Sequence, residues 1–83
     1  MSTKLFVGSL PWSIKDSRLQ ELFEVHGSVV SAKVITDRET GRSRGFGFVE
    51  MENSSDADNA IKALNNSELD GRNIVVNEAK PRR

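Results

Sequence analysis

The chain of 83 residues has no cysteine and a single histidine, His26, which excludes a disulfide framework and thiolate chemistry and leaves no ligand set for zinc. An excess charge of either sign is missing too. Twelve lysines and arginines face twelve aspartates and glutamates, so net charge recommends neither a polyanion nor a membrane as partner. Long apolar runs are also absent. The first, Leu5-Phe6-Val7 after Met-Ser-Thr-Lys, is much too brief for a signal-peptide core or a membrane span. No nucleophile stands paired with a base, so no catalytic residue is expected. These absences predict a soluble intracellular monomer without cofactor, metal or membrane contact. The length predicts one domain over 1–83 with a modest core. Asn53-Ser54-Ser55 and Asn65-Asn66-Ser67 fit a glycosylation pattern but lack the secretory signal that would give it meaning.

What is present centres on Arg42-Ser43-Arg44-Gly45-Phe46-Gly47-Phe48-Val49-Glu50-Met51. Side chains two apart on a strand share a face. Phe46 and Phe48 therefore stand with Arg44 and Glu50, while Val49 and Met51 point the other way. Spacing alone would let the rings be core, but a face mixing rings with charges is an unusual one to bury. Lys4 to Gly8 reads as a first strand, with Leu5 and Val7 on one face and Lys4 and Phe6 on the other.

Ser9-Leu10-Pro11-Trp12 is a loop, and Trp12 could stack on a base, although a tryptophan so placed more often covers an edge of the sheet or core. Ser13 with Asp16 suggests a capping box, or Asp16 is itself the cap. The following helix carries Leu19, Leu22 and Phe23 inward and stops at Gly27, with His26 packing or favouring the helix dipole. A second strand spans Ser28 to Thr36, Ala32 and Val34 inward and Lys33 outward. Asp37 to Ser43 is a polar hairpin loop leading into the central stretch. Ser55 with Asp58 suggests the cap of a second helix, whose inward residues are Ala57, Ala60, Ile61 and Leu64. Asn65-Asn66 ends it, and Asp70-Gly71 marks a tight turn before a last strand through Ile74 and Val76. Lys80 to Arg83 is a basic tail, serving either a ligand or nothing beyond a frayed terminus.

The order strand, helix, strand, strand, helix, strand predicts an α+β ferredoxin-like βαββαβ sandwich, a four-stranded antiparallel sheet with both helices on one face. Phe6, Phe46 and Phe48 then lie on the bare face. An exposed ring cluster on a small domain signals a partner. Rings bordered by Lys4, Lys33, Arg42, Arg44 and Lys80 suit flat bases on a phosphate backbone, and duplex bases have no free faces to offer.

Arg44-Gly45-Phe46-Gly47-Phe48-Val49-Glu50-Met51 resembles the longer signature of the RNA-recognition motif, departing only at Met51, where an aromatic is usual. Leu5-Phe6-Val7-Gly8-Ser9-Leu10 is similar to the family's shorter signature, with Ser9 in place of the commoner asparagine. The run from Asp37 to Arg44 and the end Asn77-Glu78-Ala79-Lys80-Pro81-Arg82 resemble the single-domain bacterial and cyanobacterial members and the plant glycine-rich and chloroplast ribonucleoproteins. No glycine-rich tract is present in these 83 residues.

The resemblance implies a single-stranded RNA-binding protein, with single-stranded DNA the other polymer the chemistry admits, in a post-transcriptional or RNA-chaperone role. It implies base stacking on Phe6 and Phe48, sugar contact by Phe46 and phosphate pairing by Arg44. Lys33, Asn77, Glu78 and Lys80 would supply the hydrogen bonds that choose bases. Bacterial cytoplasm is the expected compartment, or a chloroplast or other organelle if the chain is an excised domain. The alternative is a peptide-binding module of the same family, which uses an arginine-x-phenylalanine loop before the last strand. That place reads Arg72-Asn73-Ile74, without the phenylalanine. An enzyme is not expected: Gly45-x-Gly47 lacks the third glycine of a dinucleotide fingerprint and sits within a strand.

Overall fold

Alternating apolar residues in the strands and helical spacing of Leu19, Leu22 and Phe23 can be buried together only if both helices lie on the side of the sheet that carries Leu5, Val7, Val49 and Met51. The computed structural model describes residues 2–11, 13–41 and 43–79, the side chains of Ser43 and Arg44 excepted. Strand β1 (Thr3–Gly8) leads to helix α1 (Asp16–Glu24), β2 (Val29–Thr36), β3 (Ser43–Met51) and helix α2 (Ser54–Leu64). A small hairpin, β4 (Glu68–Leu69) and β5 (Arg72–Asn73), precedes β6 (Val75–Glu78). The main sheet has the order β2-β3-β1-β6, each neighbouring pair antiparallel. This is the ferredoxin-like arrangement that the element order predicts.

Leu5, Val7, Val49, Met51 and Val76 are fully buried from the sheet, as are Leu19, Phe23, Ala57 and Ala60 from the helices. Leu22, Ala32, Ile61 and Leu64 pack partly buried around them. Gly47 lets the layers close. A Cβ there would lie 2.5 Å from the Lys33 carbonyl oxygen and 3.2 Å from Leu19 Cδ2, so a side chain at this point would push β3 away from β2 and α1. Leu10, Ile14 and Leu69 are buried as well, although the first two lie in the β1–α1 connection and the third in the hairpin. They join the same core from segments where no periodicity announces burial.

The helix starts differ from the sequence expectation. Lys15 and Asn53 occupy the cap positions, and neither makes a side-chain cap bond. Asp16 instead accepts a 2.7 Å bond at Oδ1 from the Val34 amide, beside the register shift between Val34 and Thr36. A carboxylate that could have capped α1 ties the helix to the edge strand. Asn66 adopts a left-handed φ of 65°, as expected at the end of α2. Asp70 and Gly71, at φ 51° and 87°, form the two-residue turn joining Leu69 to Arg72. Asn65 Oδ1 accepts from the Val76 amide at 3.0 Å, fixing α2 to β6. Among the described residues no helix is long and apolar enough to cross a membrane.

Asp16→Ala is expected to lower the unfolding free energy by about 1–3 kcal/mol, because it leaves the Val34 amide without its charged acceptor. Asp58→Ala, which removes a carboxylate without a cap bond, should change it by no more than about 0.5 kcal/mol. Urea denaturation of both variants checks this, and equal effects would remove the special role of Asp16.

Candidate nucleic-acid interface

Strand register builds the helix-free face in rows. Phe48 stands opposite Lys33 on one side and Phe6 on the other, and Phe6 stands opposite Asn77. One row therefore crosses all four strands as Lys33, Phe48, Phe6 and Asn77. The next is Ser31, Glu50 and Lys4, continued by the Ala79 amide, which donates to the Lys4 carbonyl at 2.8 Å. On the other side lie Phe46, Gly8 and Val75. Because Leu5, Val7, Val49 and Val76 go under the helices, these rows face outward.

The three rings form one cluster. Phe6 lies with its centroid 5.8 Å from Phe46 at 30° and 5.8 Å from Phe48 at 67°, and Phe46 meets Phe48 at 6.2 Å and 89°. Tilted and edge-on contacts of this kind are the ones aromatic rings prefer, and they hold the three in place. All three are only half-buried. A Cβ on Gly8 would approach Phe6 Cε2 to 2.9 Å; the ring of Phe6 lies across the space that this glycine leaves. The Lys4 ammonium stands 5.5 Å from the Phe48 centroid, within cation–π range.

The zero net charge conceals a polarity. Helices α1 and α2 carry Asp16, Glu21, Glu24, Asp56 and Asp58 against Arg18 and Lys62. The sheet face carries Lys4 and Lys33 against Glu50 among side chains that are described. In the β2–β3 loop, Asp37 Oδ1 accepts from the Glu39 and Thr40 amides at 2.8 and 3.4 Å, so the carboxylate shapes the turn.

Of the residues singled out from sequence, Phe6, Phe46, Phe48, Lys4, Lys33 and Asn77 come together on this face. Glu78 pairs with Leu5 and so falls on the other side of the pleat from Asn77; it meets the site only by lining a shallow depression with Lys4, Phe48 and Glu50. The backbone of Arg44 belongs to β3, while its side chain lies outside the described residues. Arg42 and Lys80 lie outside them altogether, as do Trp12 and the rest of the basic tail. Glu50 was not singled out. It is half-buried on the face, its Oε2 accepting from the Ser2 hydroxyl, and the alternation that selects Phe46 and Phe48 reaches it as well.

Residues 5–75 match the family described as RNA recognition motif. The chloroplastic 28 kDa ribonucleoprotein of Spinacia oleracea is 56% identical over 84 residues, which cover 99% of this chain and 36% of that protein. The mitochondrial glycine-rich RNA-binding protein 4 of Arabidopsis thaliana is 55% identical over 82 residues, 99% of this chain and 60% of its own length. The chain thus spans between about a third and three-fifths of these relatives. The crystal structure of RNA binding protein PG1 superposes with a TM-score of 0.92 at 49% identity, covering 98% of both chains. A Sxl-lethal protein/RNA complex gives 0.88 at 38% identity, covering 93% of this chain and 47% of that one.

The rings stand outside the core, so Phe48→Ala should lower the unfolding free energy by only about 1 kcal/mol, the scale of cross-strand contacts. Leu5→Ala, one residue from Phe6 but on the helix side, should cost about 2–5 kcal/mol. Thermal or chemical denaturation compares them, and a Phe48→Ala loss as large as that of Leu5→Ala would return the ring to the core.

Proposed function

The chain belongs to the RNA recognition motif family, and on that basis we propose that the helix-free face of its sheet binds single-stranded RNA. The observation that carries the reading is the cluster of Phe6, Phe46 and Phe48, rings in mutual contact with no helix over them. Bases stack on Phe6 and Phe48, Phe46 packs against the sugars, and Arg44 pairs with a phosphate. Lys4, Lys33 and Arg42 attract the backbone, and Asn77, Glu78 and Lys80 offer hydrogen bonds to base edges. Single-stranded DNA shares the stacking chemistry and is a weaker candidate, lacking the 2′-hydroxyl. The unit is one domain over 1–83, with a basic tail at 80–83.

The names of the relatives, ribonucleoprotein and RNA-binding protein, support RNA binding; a post-transcriptional or RNA-chaperone role without catalysis is the reading that goes with it. Those same relatives are plant organelle proteins, so the bacterial cytoplasm gains no support from them. Peptide docking before the last strand is not favoured, because Ile74 at that place is buried and no ring stands there. Stacking contributes roughly 1–3 kcal/mol per base, and micromolar affinity needs about 8 kcal/mol. Two stacks and a few screened phosphate contacts therefore give a binder of micromolar strength or weaker.

Titration of a fluorescent single-stranded RNA should give an affinity that falls at least about tenfold in Phe48→Ala, the equivalent of one lost stack. The dissociation constant should rise by about two to three log units per log unit of salt, at roughly 0.7 per phosphate contacted. An affinity unmoved by Phe48→Ala would sink the stacking reading, and a flat salt response would remove the cations from it.

A further inference from the structure

The geometry points to Glu50 and Lys4 as a paired reader of the base that stacks on Phe48, selecting guanine. The inference rests on the reading that a base does stack there. Phe46 and Glu50 flank Phe48 along β3 at about 7 Å on either side. With its sugar against Phe46, the base extends the opposite way, so that its Watson–Crick edge arrives over Glu50 and Lys4. Those two residues are directly opposed across β1 and β3 and line the depression beyond the Phe48 ring. No ion pair joins them among the described residues. Lys4 lies over the Phe48 ring instead, and Glu50 is held by the Ser2 hydroxyl. That bond uses one of about four lone-pair sites on a carboxylate, which orients the group and leaves acceptors free.

An ammonium beside a carboxylate presents a donor and then two adjacent acceptors. Guanine is the base whose edge is the complement: the O6 acceptor, then the N1–H and N2–H donors. Its two donors meet the carboxylate in a bidentate, charge-assisted pair, while O6 takes the ammonium displaced from the ring. Uracil offers one donor between two carbonyl oxygens, and the second of these meets a carboxylate oxygen head-on. Cytosine reverses the order, placing its amino group at the ammonium. Adenine does the same and has no donor at the far position. Glu50 therefore confers selectivity at the expense of general affinity, since its charge repels phosphates.

The test uses fluorescence anisotropy with heptamers of uridine, uridine with one central guanosine, and uridine with one central inosine, which lacks the N2 amino group. The wild-type chain should bind the guanosine heptamer about tenfold more tightly than the uridine heptamer, within the range of one bidentate base contact, with inosine in between. In Glu50→Ala, and in the near-isosteric Glu50→Gln, the preference should fall below about twofold while uridine-heptamer binding is unchanged or stronger. A wild-type chain that binds all three alike, or a preference that survives in both variants, overturns the assignment. If uridine-heptamer binding is still weakened by Phe48→Ala in that case, the stacking reading stands without it. Loss of binding to every heptamer by the wild-type chain would overturn both.

Discussion

A β-sheet has two faces, and a strand sends successive side chains to alternate ones. Once both helices are committed to one side, every second residue of β1, β3 and β6 is committed to the other. The burial of Leu5, Val7, Val49, Met51 and Val76 and the exposure of Phe6, Phe46, Phe48 and Asn77 are thus one fact seen from two sides. A slip of one residue in β1 against β3 would turn β1 over, putting Leu5 and Val7 in water and Phe6 on the helix side, away from Phe46 and Phe48. The core fixes the register, and the register lays out the site. The burial that stabilises the domain is therefore also what aligns Lys33, Phe48, Phe6 and Asn77 across four strands.

The same period explains which features were legible in the sequence. The rings, the inward valines and the order of the main elements follow from alternation and helical spacing, and the sides of Lys4, Lys33 and Asn77 come with them. Leu10, Ile14 and Leu69 escaped because they are buried from segments without a period, where tertiary placement alone decides. Strands β4 and β5 escaped because two residues carry no pattern, although Asp70-Gly71 announced the turn between them. The capping assignment failed for another reason. An acid at the start of a helix has more than one available donor, and the Val34 amide, brought close only by folding, took Asp16. Glu78 came with Asn77 from the family resemblance; the pleat turns it the other way, and it reaches the face at the depression beside Lys4 and Phe48.

Charge illustrates how a sum can mislead. Equal numbers of cations and anions suggested indifference to a polyanion, yet the helices hold five acids against two cations, while the sheet face holds Lys4 and Lys33 against Glu50 among the described side chains. A polymer carrying negative charge meets repulsion over α1 and α2 and a weaker or favourable field over the rings. At physiological ionic strength such fields reach about 8 Å, far enough to bias the side from which a strand approaches this small domain but not to bring it from a distance.

The space above Gly8 has a consequence for how this surface can be lost. The atom that an added side chain would meet is the far edge of the Phe6 ring, which can turn aside without disturbing the backbone. A side chain at Gly8 would tilt the Phe6 ring out of the position from which it meets Phe46 and Phe48. The platform thus depends on a residue of the same face that offers it no side chain.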